Sequence, residues 1–146
     1  MRKRTAIAAL AGVGLAVGLV STADAHHAVN AQFDVTKSVV ITGVLTKVDW
    51  QNPHAWFHFA EIDKDGKPVF DKDGKQVIWS LETTGPNGLR QLGLADRRMF
   101  PIGETFSFSG YPARNGETKA FTLQVKFPDG RTMTLGFIDG ASVPAL

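Results

Sequence analysis

The chain has no cysteine. That excludes disulfides, thiolate metal sites, a thiol nucleophile and a lipidated-cysteine anchor. No apolar run reaches the ~20 residues that cross a bilayer as a helix. The longest, residues 6–20, stops short of that. G-x-S-x-G, H-E-x-x-H and a phosphate-binding glycine loop are all missing, so the common hydrolase, zinc-protease and nucleotide signatures are absent. Histidine occurs only four times, and those four residues carry most of the chemistry the sequence offers.

What is present begins with a leader. Arg2, Lys3 and Arg4 precede the apolar run, and Ala23-Asp24-Ala25 follows it with small residues. This three-part order predicts a signal peptide over residues 1–25, and export to the periplasm or the medium without a stable membrane anchor. Cleavage removes three cations and one anion from a chain with 16 Lys+Arg and 14 Asp+Glu, so the mature protein is formally neutral. A phosphate-binding surface normally shows as excess positive charge, and neither the balance nor the compartment predicts nucleic acid as a partner.

The remainder reads as an extended segment over residues 26–37 and one β-barrel domain over residues 38–140. Val39–Trp50 is rich in β-branched residues. Val40, Val44, Val48 and Trp50 are assigned to one face and Val39, Ile41 and Leu45 to the other, with Gly43 as a candidate bulge. Strands are predicted near residues 54–62, 76–82, 105–111 and 119–127, followed by a return over 132–137. Phe121, Leu123, Val125 and Phe127 alternate with polar residues and are assigned to the interior. Thr84 is a candidate N-cap for a short helix near residues 86–92, with Leu89 and Leu92 on one face. Three strands, a helix, then further strands is the order of a small OB-fold-like Greek-key barrel, so the fold class is all-β with one short helix. Two Asp-Lys-Asp-Gly-Lys repeats, at residues 63–67 and 71–75, read as turns. Lys72 stands where a calcium loop begun at Glu61 needs a bidentate glutamate.

His26 and His27 follow the predicted cut. His54 and His58 lie on the second strand with Trp56 between them on the same, outer face. A new N-terminus at His26 offers an amine and an imidazole, donors suited to Cu(II) and, second, to Zn(II). A cut after Ala23 instead leaves histidine third in the chain, a different Cu(II) geometry using backbone amides. The candidate metal ligands are therefore His26, His27, His54 and His58. A straight strand separates His54 and His58 by roughly 13 Å at the backbone, which ranks His54 ahead. Phe33 is a candidate anchor that would lay the N-terminal segment along the barrel and bring the two histidine groups together.

Several segments appear together in order: His26-His27, Phe33-Asp34, Thr42-Gly43, Trp50, Asn52-Pro53-His54-Ala55-Trp56, Gly85-Pro86-Asn87 and Pro128-Asp129-Gly130-Arg131. In this the chain resembles a family of small exported bacterial proteins of unknown function. The resemblance implies export and a small β-rich domain, and brings no activity with it. It also marks His58 as a departure, since the family often has a hydrophobic residue there.

Three functions fit these features. The first is an exported binding or carrier protein for copper. The second is a binding module for an apolar or carbohydrate ligand, with Trp50 and Trp56 as an aromatic platform. The third is an oxidative copper enzyme built on a histidine brace. No general base or nucleophile is evident, which places the enzyme last.

Overall fold

The computed structural model describes residues 29–136 and Leu146. The predicted leader, His26, His27 and Phe137 lie outside the described residues. Six strands are formed: β1 (Val39–Asp49), β2 (His54–Glu61), β3 (Ile78–Thr84), β4 (Thr105–Pro112), β5 (Lys119–Lys126) and β6 (Thr132–Thr134). Helix α1 (Pro86–Gln91) and a 3-10 turn (Arg97–Met99) fall between β3 and β4. The strands neighbour one another in the order β3-β2-β1-β4-β5-β6, and β3 also pairs with β5 in parallel. That last pairing closes β1 to β5 into a Greek-key barrel of OB type. β1 makes the closure possible because it is long: residues 39–44 pair with β4 while residues 43–49 pair with β2.

Phenylalanine fills the barrel. Phe57, Phe59, Phe100, Phe106 and Phe108 are buried together with Leu45, Leu81 and Leu89. Phe59 and Phe108 bring their ring centroids to 4.4 Å, and Phe57 and Phe100 to 4.5 Å. These tilted contacts let the negative face of one ring meet the positive edge of the next. On β4, Phe106 and Phe108 are buried while Ser107 between them is only partly so.

Two bulges correct the assignment of faces. The first lies between Leu45 and Lys47, not at Gly43. Ile41, Gly43 and Leu45 point inward, and the extra residue then returns Val48 and Trp50 to the core side. Gly43 is needed for close approach: a Cβ there would stand 2.7 Å from the Ala60 carbonyl oxygen. The second irregularity puts Gly110 opposite Thr122 but Ser109 opposite Gln124, leaving Leu123 without a partner. One extra residue inverts every side chain beyond it. Val125 and Phe127 therefore enter the barrel, whereas Leu123 and Phe121 belong to a second apolar cluster with Phe33 and Tyr111. Phe121 is only partly buried. Phe121→Ala is accordingly expected to cost about 1–2 kcal/mol in chemical denaturation, below the ~3–5 kcal/mol of a full aromatic core truncation. A loss in the upper range would place Phe121 in the main core.

Helix α1 is capped by Gly85 with no side-chain bond, not by Thr84, and Pro86 occupies its first turn. A proline there forfeits no helical hydrogen bond. Leu89 is buried, while Leu92 is exposed just past the helix end. The third strand begins at Ile78, with Gln76 in an isolated bridge to Phe70.

The second cluster seats the N-terminal segment. Residues 29–32 form one helical turn, and Phe33 is only 3% exposed among Tyr111, Leu123 and the flanking Val29, Val35 and Phe121. The backbone ties the segment down as well. The Asp34 N–H donates to Pro112 O (2.8 Å) and the Arg114 N–H donates to Gln32 O (2.9 Å). The Arg114 Nε donates to Asn30 O at 2.8 Å. Phe33 thus anchors the segment on the barrel, as its sequence context suggests.

Candidate functional site

On β2, Ala55, Phe57 and Phe59 are buried, so His54, Trp56 and His58 share the outer face. Register sets their neighbours. Trp56 lies opposite Glu82 and His58 opposite Ser80 on β3. On the far side of β3, Glu82 lies opposite Phe121 and Ser80 opposite Lys119 of β5. The two histidines therefore fall in separate rows across the sheet, and each has its own partners.

His54 pairs through Nδ1 with the Glu82 carboxylate. The imidazole side chain is 48% exposed and the carboxylate 8%. Burial pushes the Glu82 carboxyl above its ordinary range, against the lowering influence of His54 and, more weakly, of Lys119. Water stabilises a carboxylate strongly, and its withdrawal favours the neutral acid. The buried surroundings come from other strands, with Trp56 on one side of Glu82 and Phe121 on the other. A buried carboxyl raised by desolvation and paired with a half-exposed imidazole is a type of arrangement that concentrates at functional sites.

His58 is differently placed. Its Nε2 lies 3.0 Å from Asp49 Oδ2 and its Nδ1 3.0 Å from Ser80 Oγ. Asp49 is held below its usual carboxylate range, first by the hydrogen bond from Lys47 and then by His58. An ionised Asp49 requires a proton on Nε2. The neutral ring then accepts the Ser80 hydroxyl at Nδ1. The order Asp-His-Ser is that of a hydrolase triad with the two ring nitrogens exchanged. Ser80 is nevertheless a mid-strand residue, and its N–H donates to Thr118 O within the barrel, so it offers no oxyanion donor. This row is a cross-strand tie. With both ring nitrogens occupied, His58 ligates nothing without breaking it.

Trp50 and Trp56 also differ. The Trp50 ring meets Phe57 edge-on at 6.4 Å and Phe100 at 6.2 Å, and its indole nitrogen is buried. Its faces are committed to packing. Trp56 lines a cleft of about 300 Å³ with Ala31, Phe33, Arg114 and Lys119. The N-terminal segment and the outer face of β2 thus both line one cleft.

Among the described residues, no three His, Asp or Glu side chains converge as a metal-binding cluster. The sequence alone did not pair Ser80 or Glu82 with the histidines, and it did not connect Asp49 with His58.

No curated protein matches the chain. A family model does match it over residues 15–122, nearly three quarters of its length. Asn52-Pro53-His54 and Gly85-Pro86-Asn87 meet at one end of the barrel, and the chain belongs to DUF6152, a family of unknown function.

Proposed function

We propose that this is an exported binding protein that captures a metal ion, copper before zinc, with His54 Nε2 as its barrel ligand. One observation carries this reading: the His54 Nδ1 is paired with the largely buried Glu82 carboxylate. Metal-ligating histidines characteristically give their second ring nitrogen to a carboxylate, which fixes the tautomer, orients the ring and raises its basicity. Glu82 is then the orienting residue, and a cluster of acidic ligands is not needed.

His26 and His27 supply the remaining nitrogen donors in this proposal. Val29, three residues after His26 in the sequence, packs against the cluster that holds Phe33. Trp56, which lines the cleft with residues 31–33, is two residues along the strand from His54, or ~7 Å. An amine and imidazoles favour Cu(II).

The test is Cu(II) titration with paramagnetic resonance of the exported protein. Glu82→Gln is expected to weaken binding about tenfold, as loss of an orienting carboxylate does. His54→Ala and His26→Ala should weaken it at least as much and change the spectrum, and His58→Ala should leave both unaltered. Wild-type affinity in His54→Ala would sink the proposal.

The cleft beside Trp56 favours a second reading, a small organic ligand stacked on the indole. Its volume is at the low end for ligand pockets. It predicts binding lost in Trp56→Ala and retained in His54→Ala.

A further inference from the structure

We infer that docking of the N-terminal segment, residues 29–36, is energetically coupled to the state of the His54–Glu82 pair, with Phe33 as the positioning residue. The inference deepens the metal-binding reading, because it makes this segment a strap whose closure and ligand capture favour each other.

The coupling follows from shared neighbours. Glu82 stands in register between Trp56 on β2 and Phe121 on β5. Both flanking residues also face the strap. The Phe33 and Phe121 rings lie 5.9 Å apart, and Trp56 lines one cleft together with Ala31, Gln32 and Phe33. Phe121 thus flanks the carboxylate on one side and packs against the strap's anchor on the other. Packed interiors transmit displacement because they contain few voids. Any change in how Glu82 sits against Phe121 therefore alters the surface the strap needs.

The strap is held by few interactions, which makes it the element able to respond. Its anchor is one phenylalanine in a satellite cluster, with a handful of backbone bonds. Asp34 closes its far end by accepting from the Thr36 hydroxyl at 2.6 Å and from Lys37 at 3.1 Å. Segments with few buried contacts open at lower free energy than the surrounding sheet. Coupling between two sites is reciprocal for binding free energies. If strap docking strengthens capture at His54, capture protects the strap by the same factor.

Hydrogen exchange on the full exported protein tests this with and without metal. The reporters are the amides of Phe33, Asp34 and Arg114, which donate to Val29, Pro112 and Gln32. In metal-free protein, His54→Ala is expected to speed their exchange several-fold relative to the β1 amides, whereas His58→Ala leaves them unchanged. Added Cu(II) should slow the same amides in the wild type and not in His54→Ala. Phe33→Ala should weaken Cu(II) binding by about the factor of that slowing, and Phe33→Leu should restore most of it.

Reporter amides that exchange alike in wild type and metal-free His54→Ala would overturn the inference, whatever copper does. Wild-type copper affinity in Phe33→Ala, beside weakened affinity in His54→Ala, would overturn it too. Failure of the wild type to bind Cu(II) would instead remove the metal reading, and the metal-free comparison would still decide the coupling.

Discussion

Gly85→Ala is expected to destabilise the barrel by about 3 kcal/mol, the upper part of the range for forced overpacking. Gly85 has φ −69° and ψ 173°, ordinary extended backbone, so conformation does not demand glycine. Space does. A Cβ would stand 2.3 Å from the Pro53 carbonyl oxygen and 2.9 Å from Asn52 Oδ1. The Asn52 side chain can turn aside, but the Pro53 carbonyl is backbone and cannot move without the turn. Pro53 carries the turn into β2, and His54, the next residue, pairs with Thr84, the residue before Gly85. An alanine here pushes the turn off the end of β3 and moves His54 relative to Glu82. Thermal unfolding should show Tm lowered by roughly 10 °C or more. Gly136→Ala is the control, because its Cβ would meet nothing closer than 3.6 Å. Equal melting of the two variants would mean that the turn does not rest on Gly85.

Gly85 also shows why two short motifs, distant in sequence, travel together in this chain. Asn52-Pro53-His54 and Gly85-Pro86-Asn87 are weak signals separately. Folded, the glycine of one lies under the proline carbonyl of the other. Strand content, strand order and the place of the helix were legible because period-two burial, turn residues and a proline-led helix are local signals. The shared outer face of His54, Trp56 and His58 followed from alternation alone. The bulges were not legible, because pairing between strands decides where an extra residue is accommodated. The consecutive polar residues Thr46 and Lys47 inside an apolar run are the trace the first bulge leaves in the sequence. Leu123 leaves none: its apolar character suits the main core and the strap cluster equally. Glu82 could be placed on the outer face from its register, but its burial could not be foreseen. In the fold Glu82 stands in register between Trp56 and Phe121, which come from strands on either side.

His54→Ala is expected to lower stability at neutral pH by about 2 kcal/mol, and a second change, Glu82→Gln, to restore it. Breaking a buried ion pair costs ~3–5 kcal/mol when the survivor stays charged and desolvated. His54 is half-exposed, which reduces the figure here. The sign with pH follows from the direction of the Glu82 shift. Its folded-state carboxyl lies above the ordinary value, so over that interval the native state holds a proton that the unfolded chain has released. Stability then falls as pH rises through the interval, because the unfolded state binds fewer protons. His54 lowers the Glu82 carboxyl, so His54→Ala lets it rise further, deepening the fall and carrying it to higher pH. Below the ordinary glutamate value of 4.5 both states are protonated and this Glu82 penalty disappears. Glu82→Gln in the wild-type background removes the same slope and should leave the neutral-pH fold at least as stable as the wild type. The glutamine keeps the shape and gives up a charge that burial disfavours. It should also weaken Cu(II) capture, so stability and binding would move in opposite directions, as expected where a charge is kept for function at a cost to the fold. Denaturant unfolding of the four members of this cycle between pH 4 and 8 measures all of it. A penalty in His54→Ala that is unchanged at the acid end, or that Glu82→Gln fails to relieve, would show that the imidazole supports the barrel by packing and not by its pairing with the carboxylate.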